Sequence, residues 1–243
     1  MNSPIVTALI YAMVPSAVTV VGTAAATFWH PGEVFRSGLL HFAAGAAFAV
    51  VAVELLPRVM RGHGALPWVI SGFGLGVLIM LGVRWLEHTL TARAGQQRWP
   101  LGLIGGGAVD QVIDGVLLGI GIAQGAGLGV LLSVSMAVED LTFGLAIATS
   151  FGAACGMRWQ KIGTAAALGA LLVIVTVVDA SALGRLGAAA IEFLLSLASA
   201  ALMYVVTEQL LVEAHEQMRS ALLAATFFVG FLLIMVLGMI TGT

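Results

Sequence analysis

Charge is scarce in this sequence: 9% of its 243 residues are Asp, Glu, Lys or Arg, where a soluble domain averages about 25%. With 60% hydrophobic residues and a mean hydropathy of +1.08, the chain cannot cover a water-facing surface, and lipid is its natural solvent. The single cysteine, Cys155, excludes an internal disulfide and any thiolate cluster, and reads as a small packing residue. The ten basic residues are scattered and the formal net charge is −2, which leaves no electrostatic footprint for nucleic acid. The first apolar run follows "MNSP", with neither a basic n-region nor a small-residue cleavage site. It is expected to be a retained helix rather than a signal peptide.

What the sequence has in abundance is apolar runs of membrane length. One crossing takes about 20 mostly apolar residues, and the runs and their breakers predict spans near 4–28, 35–57, 66–89, 100–124, 127–152, 159–180, 186–212 and 219–241. The breakers, such as "WHPGE", "RGHGALP", "RAGQQRWP" and "GMRWQK", mix Gly, Pro and charge. The expected fold is an all-α membrane protein of eight transmembrane helices, one domain over 1–243. Its 31 glycines suit close helix packing through small residues. Arg36, Arg84, Arg93, Arg98, Arg158, Lys161 and Arg219 flank the connections after odd-numbered spans, against Arg58, Arg61 and Arg185 after even ones. The positive-inside rule then places the odd connections in the cytoplasm and both termini outward. The compact, loop-poor build points to a bacterial inner membrane.

Two internal repeats are visible. "AGAAFAVVAVELLP" from Ala44 aligns without gaps with "ASAALMYVVTEQLL" from Ala198, matching Gly45 with Ser199 and Glu54 with Glu208. Spans two and seven cross in opposite directions, so this repeat is inverted, as in many secondary transporters. "AVDQVIDGVLLG" from Ala108 aligns with "AVEDLTFGLAIA" from Ala137, pairing Asp110 with Glu139, Gln111 with Asp140, Asp114 with Phe143 and Gly115 with Gly144.

Acids lie in the middle of spans four and five. Asp110 and Asp114 are four residues apart, one helical turn on one face; Glu139 and Asp140 sit at similar depth. Exposed to lipid they would together cost on the order of 10 kcal/mol, so they must face inward. No Lys, Arg or His is expected at that depth, since His30, His63, His88 and His215 fall at helix ends or connections. A buried carboxylate without a protein counter-ion binds a cation or takes up a proton. The competing reading makes one or two of these acids neutral partners of Ser and Thr hydroxyls. Carboxylates and an amide suit hard, oxygen-seeking cations: Asp110, Gln111, Asp114, Glu139 and Asp140 form the candidate shell, with Ser135 and Thr142 as weaker members. The absence of His and Cys disfavours a tight zinc site.

Other polar residues are candidates for a pathway. Glu54 near the outer end of span two and Glu208 near the inner end of span seven either line an access route or are helix-end acids. His41, near the cytoplasmic end of span two, is either structural or on the path. Glu213, His215 and Glu216 form a cytoplasmic cluster, either a solvated helix end or an exit point for an ion.

At spans four and five the pattern resembles the ZIP family of divalent-metal transporters, whose fourth helix carries His-Asn-x-Pro-Glu-Gly and whose fifth carries a related (His/Gln)-(Glu/Asp)-x-Pro-Glu-Gly. The corresponding strings are Asp110-Gln111-Val112-Ile113-Asp114-Gly115 and Glu139-Asp140-Leu141-Thr142-Phe143-Gly144. "AGAAFAVVAVELLP" is similar to the family's second helix, and "YVVTEQLLVE" from Tyr204 to its seventh, with Glu208 and Gln209 at the usual His-Glu pair. The resemblance implies a 3+2+3 helix arrangement with an inverted repeat, a homodimer, and metal between helices four and five. It also has departures. Asp110 stands at the His position, both prolines are missing, and Phe143 replaces the fifth-helix Glu. The acidic stretch of helix six and a His-rich loop between spans three and four have no counterpart. The family's binuclear centre therefore cannot form as such, and at most one oxygen-rich site remains.

Three functions follow. The first is transport of a divalent cation (Mn, Fe, Zn, Cd or Co) by alternating access through the mid-membrane carboxylates. The second is a ZIP-like membrane protein without metal transport, moving another cation or protons or serving a structural or sensing role. An intramembrane enzyme ranks last. The Gly-x-Gly-Asp and Tyr-Asp contexts of aspartyl proteases are absent, and no His is expected at the depth a Ser–His dyad would need.

Overall fold

A computed structural model describes residues 4–29, 32–61, 66–94, 101–150, 158–183, 187–212, 214 and 220–241. Among them all regular structure is helical. The helices are α1 (Pro4–Phe28), α2 (Glu33–Arg61), α3 (Leu66–Ala94), α4 (Leu101–Gln124), α5 (Ala126–Ser150), α6 (Arg158–Leu183), α7 (Ala188–Tyr204, continuing through Val205–Leu210) and α8 (Ala221–Thr241). Each contains a stretch long and apolar enough to cross a membrane, the build of a multi-pass membrane protein. The eight expected spans are all present with ends displaced by a few residues.

The helices associate in a defined pattern. α1 packs on α5 and α6, α4 on α5 and α6, α2 on α8, and α3 on α7. α3 and α8 are the least buried, which suits lipid-facing positions. Without a hydrophobic drive between helices in lipid, close backbone approach has to supply the contact, and glycines provide it between α2 and α8. A methyl at Gly45 would overlap the Phe227 carbonyl, and one at Gly230 would overlap that of Phe42.

Proline fixes one seam. Pro15 lies inside α1 and has no N–H to give the carbonyl one turn back, that of Tyr11. The Ser133 hydroxyl of α5 donates to this carbonyl at 2.8 Å, so the break in one helix becomes a bond to another. On the far side, the Ser16 hydroxyl donates to Gly169 of α6 at 2.8 Å.

Two features bear on the site, the first not foreseen from sequence and the second foreseen to within a residue. Val50–Leu55 in α2 and Val205–Leu210 in α7 are π-helical, each adding a residue to a turn, as often occurs at functional sites. Both fall in the aligned strings that contain Glu54 and Glu208. The second feature is the α4–α5 turn, which consists of Gly125 alone, with φ +138°. Only glycine enters that conformation without strain. Folding back at one residue sets the register of the hairpin. Asp110 and Gln111 lie level with Glu139 and Asp140, and Gly107 lies level with Phe143.

Candidate cation site between the fourth and fifth helices

The hairpin brings the mid-membrane acids together. Gln111 Nε2 donates to Asp140 Oδ1 at 2.7 Å, a bond with both residues buried. The Thr19 hydroxyl of α1 also faces Asp140. Asp114 is buried within electrostatic reach of Asp110, Glu139 and Asp140. Glu139 is likewise close to Asp110 and Asp140. Four carboxylates thus share one low-dielectric region. Among the described residues, Asp114, Glu139 and Asp140 form no ion pair with Lys, Arg or His.

Several acceptor atoms here have nothing to accept from. Asp114 Oδ2, Glu139 Oε2, Asp140 Oδ2 and Gln111 Oε1 are buried without a hydrogen-bond partner among the described residues. Buried polar atoms are nearly always satisfied, and a cluster of orphan carboxylate oxygens fits either a bound cation or a proton. Oxygen-only donors fit a hard or borderline divalent cation. The side chains are not already arranged around a centre: among the described residues, no three His, Cys, Asp or Glu form a coordination group. Holding a cation on three of these acids would take side-chain rotation, which the Gln111–Asp140 bond opposes.

A cavity of about 220 Å³ adjoins the acids. Asp110 and Glu139 line it, with Thr142, Phe143 and Ala146 of α5, Gly106 and Gly107 of α4, Val83 of α3, and Gln209 and Leu210 of α7 completing the wall. Positions 139, 142, 143 and 146 form one helical stripe on α5, so the cavity runs from the acid layer toward the end of the bundle where α4 begins and α5 ends. The Thr142 hydroxyl donates to the Glu139 carbonyl of its own helix at 2.6 Å. Ser135 is buried in α5 but is not part of the cavity wall.

The pathway candidates separate. Gln209 lines the cavity. Glu208, beside it, is exposed and pairs with Arg84 of α3 at 2.9 Å, while the same Arg84 nitrogen donates to the Glu208 carbonyl at 3.2 Å. Glu54 is buried near the opposite end of the bundle and pairs with Arg58 at 3.4 Å. Arg58 also donates to the Gln124 carbonyl, closing α4, at 3.5 Å. The ring nitrogen Nδ1 of His41 lies 2.8 Å from the Ser37 carbonyl on its own helix, and His41 is not part of the cavity wall. Glu213, His215 and Glu216 lie outside the described residues. Sequence reasoning missed the roles of Thr19, Gly107 and Phe143. Apolar and small residues carry no chemical signal until the hairpin register is known. No protein-family model matches the chain, and no curated protein matches it.

Proposed function

We propose that this protein moves a divalent cation across a membrane by alternating access, holding it between α4 and α5 on Asp110, Asp114, Glu139 and Asp140, with Gln111 nearby. The observation that carries this reading is the cluster of buried oxygens without partners, adjoining a cavity that reaches toward one end of the bundle. A cation supplies what those oxygens want. The cost of burying several like charges is otherwise hard to account for in a fold that could place leucine there.

The helix packing supports an inverted repeat that relates α1 to α6, α2 to α7, α3 to α8 and α4 to α5. Under that exchange the α1–α5 contact becomes α6–α4, and α2–α8 becomes α7–α3; these are among the bundle's main contacts. The two π-helical segments exchange as well. Gly144 lies against the Thr19 carbonyl of α1, as its aligned partner Gly115 lies against Leu172 and Val175 of α6. Such a scaffold can expose a central site to each side in turn. With odd connections cytoplasmic, the cavity is directed to the cytoplasm. A bacterial inner membrane, outward termini, a homodimer and divergent membership of the ZIP family complete the proposal, the last on the resemblance of the α4 and α5 strings. The protein is not proposed as an enzyme.

A second reading is a ZIP-like scaffold without metal transport. It is favoured by Phe143 in the wall of the cavity and by the lack of a preset three-ligand group. Uptake of Mn²⁺, Fe²⁺, Co²⁺, Zn²⁺ and Cd²⁺ into proteoliposomes decides between them. Transport by the wild type, lost in Asp110→Ala/Asp114→Ala, is the expected result. Equal uptake of every metal by both proteins removes the first reading.

A further inference from the structure

We propose that Phe143 is the constriction that governs what reaches the carboxylates from the end of the bundle where α5 terminates. The inference deepens the cation-transport reading and rests on it. Phe143 lies one turn from Glu139 along α5, and Gly107 lies just under one turn from Asp110 along α4, both toward that same end. The ring crosses between the helices at this level, and its tip comes to rest on Gly107. A methyl on Gly107 would overlap ring atoms Cζ and Cε2. Phe143 also packs on the cluster of Ile147, Ala165 and Leu168, which steadies the ring from behind.

The acid layer and the Ala146 layer line one cavity, and the ring of Phe143 narrows it between them. Apolar constrictions in ion pathways exclude hydrated ions by dewetting. An ion passing this one either sheds water against the ring or waits for the ring to leave Gly107. The absence of a side chain at Gly107 makes room for the ring in this narrowed position, and a smaller residue at 143 could not reach across to it. Phe143 would thus select by size and hydration, while the carboxylates select by charge.

Thiol accessibility tests this directly. In a Cys155→Ser background, Glu139→Cys reports the acid layer and Ala146→Cys the layer beyond the ring. Both are treated with a small cationic methanethiosulfonate in detergent micelles, with melting curves confirming that each variant is folded. The expected result is that Ala146→Cys reacts at least about tenfold faster than Glu139→Cys, and that adding Phe143→Ala raises the Glu139→Cys rate by about tenfold or more with little change at Ala146→Cys. Should Phe143→Ala fail to fold, Phe143→Leu, too short to rest on Gly107, serves the same comparison. Equal rates at the two positions with Phe143 present, or no change on shortening it, overturn the proposal. Labelling needs no transported ion. Labelling as expected without metal uptake overturns the transport reading alone, and equal labelling in a transporting protein overturns the constriction alone.

Discussion

Gln111 on α4 holds Asp140 on α5 through a 2.7 Å hydrogen bond from Nε2 to Oδ1, with both side chains buried. The bond ties the two central helices at the depth of the acids, and among the described residues Gln111 Oε1 and Asp140 Oδ2 have no further partner. It therefore fixes the hairpin at the layer where the acids lie. On the proposed reading, a cation that drew Asp140 toward itself would have to compete with the amide, which would couple ion binding to the α4–α5 contact.

Replacing Gln111 with Leu removes the donor and leaves a buried carboxylate oxygen with one partner fewer. The expected loss of stability is about 1–3 kcal/mol, read as a lower melting temperature in a fixed detergent. Gln111→Leu/Asp140→Leu, which removes both partners, is expected to recover most of that loss, since replacing a whole buried pair by apolar groups is often close to neutral. Additive losses in the double variant would show that the bond does not tie the helices.

Much of the fold was legible because lipid imposes a simple rule: each span must be an apolar run of fixed minimum length. The eight runs and the inward position of Asp110, Asp114, Glu139 and Asp140 follow from that rule alone. The pairing of Gln111 with Asp140 did not follow, because it depends on the chain reversing at Gly125 alone. The expected spans end at 124 and resume at 127, so a tight connection was legible, but a two-residue break leaves the register one residue open. The π-helical turns at Val50–Leu55 and Val205–Leu210 were illegible for a different reason: an added residue in a turn is stabilised by tertiary contacts and leaves no compositional mark. Phe143 was read only as a missing ligand. Its place against Gly107 is a packing fact that no single-residue pattern encodes.

A crossing of stabilities is expected on metal addition. Asp110→Ala/Asp114→Ala relieves like-charge burial, so in chelator-treated buffer it is expected to melt at or above the wild type, as when a strained functional site is removed. A transported ion added at about 100 times its Kd stabilises the wild type by about 2.7 kcal/mol and reverses the order. Screening Mn²⁺, Fe²⁺, Co²⁺, Zn²⁺, Cd²⁺ and Mg²⁺ by thermal shift then identifies which ion the site binds. If no ion raises the wild-type melting point, the non-transporting reading takes first place.

Close glycine contacts predict where the bundle tolerates added volume. Gly45→Ala puts a methyl into the Phe227 carbonyl and Gly230→Ala one into that of Phe42, so each forces α2 and α8 apart at a cost of about 1–3 kcal/mol. Gly74→Ala and Gly82→Ala in α3 meet nothing within 4 Å. They are expected to be neutral or stabilising by about 0.4–1 kcal/mol through reduced freedom of the unfolded chain. Equal melting temperatures for the two groups would contradict the close α2–α8 approach.

The two ion pairs at opposite ends of the bundle should differ in weight. Arg84 and Glu208 are 48% and 49% exposed, so their attraction is screened and offset by the entropy of two long side chains. Arg84→Gln is expected to cost less than about 1 kcal/mol, despite the shorter 2.9 Å contact. In the other pair Glu54 is only 4% exposed while Arg58 is 25% exposed. Removing Arg58 takes away a cation that a buried carboxylate faces, and leaves the Gln124 carbonyl at the end of α4 without its donor. The 3.4 Å separation is loose for an ion pair, so Arg58→Gln is expected to cost up to about 3 kcal/mol, the lower end for breaking a buried pair. Glu54→Gln/Arg58→Gln should restore part of it, because the buried charge goes with its partner. Raising the salt concentration should weaken the Arg84 contribution further and leave that of Arg58 nearly unchanged. If Arg84→Gln proves the more damaging variant, then distance rather than burial sets the strength of ion pairs at the ends of this bundle.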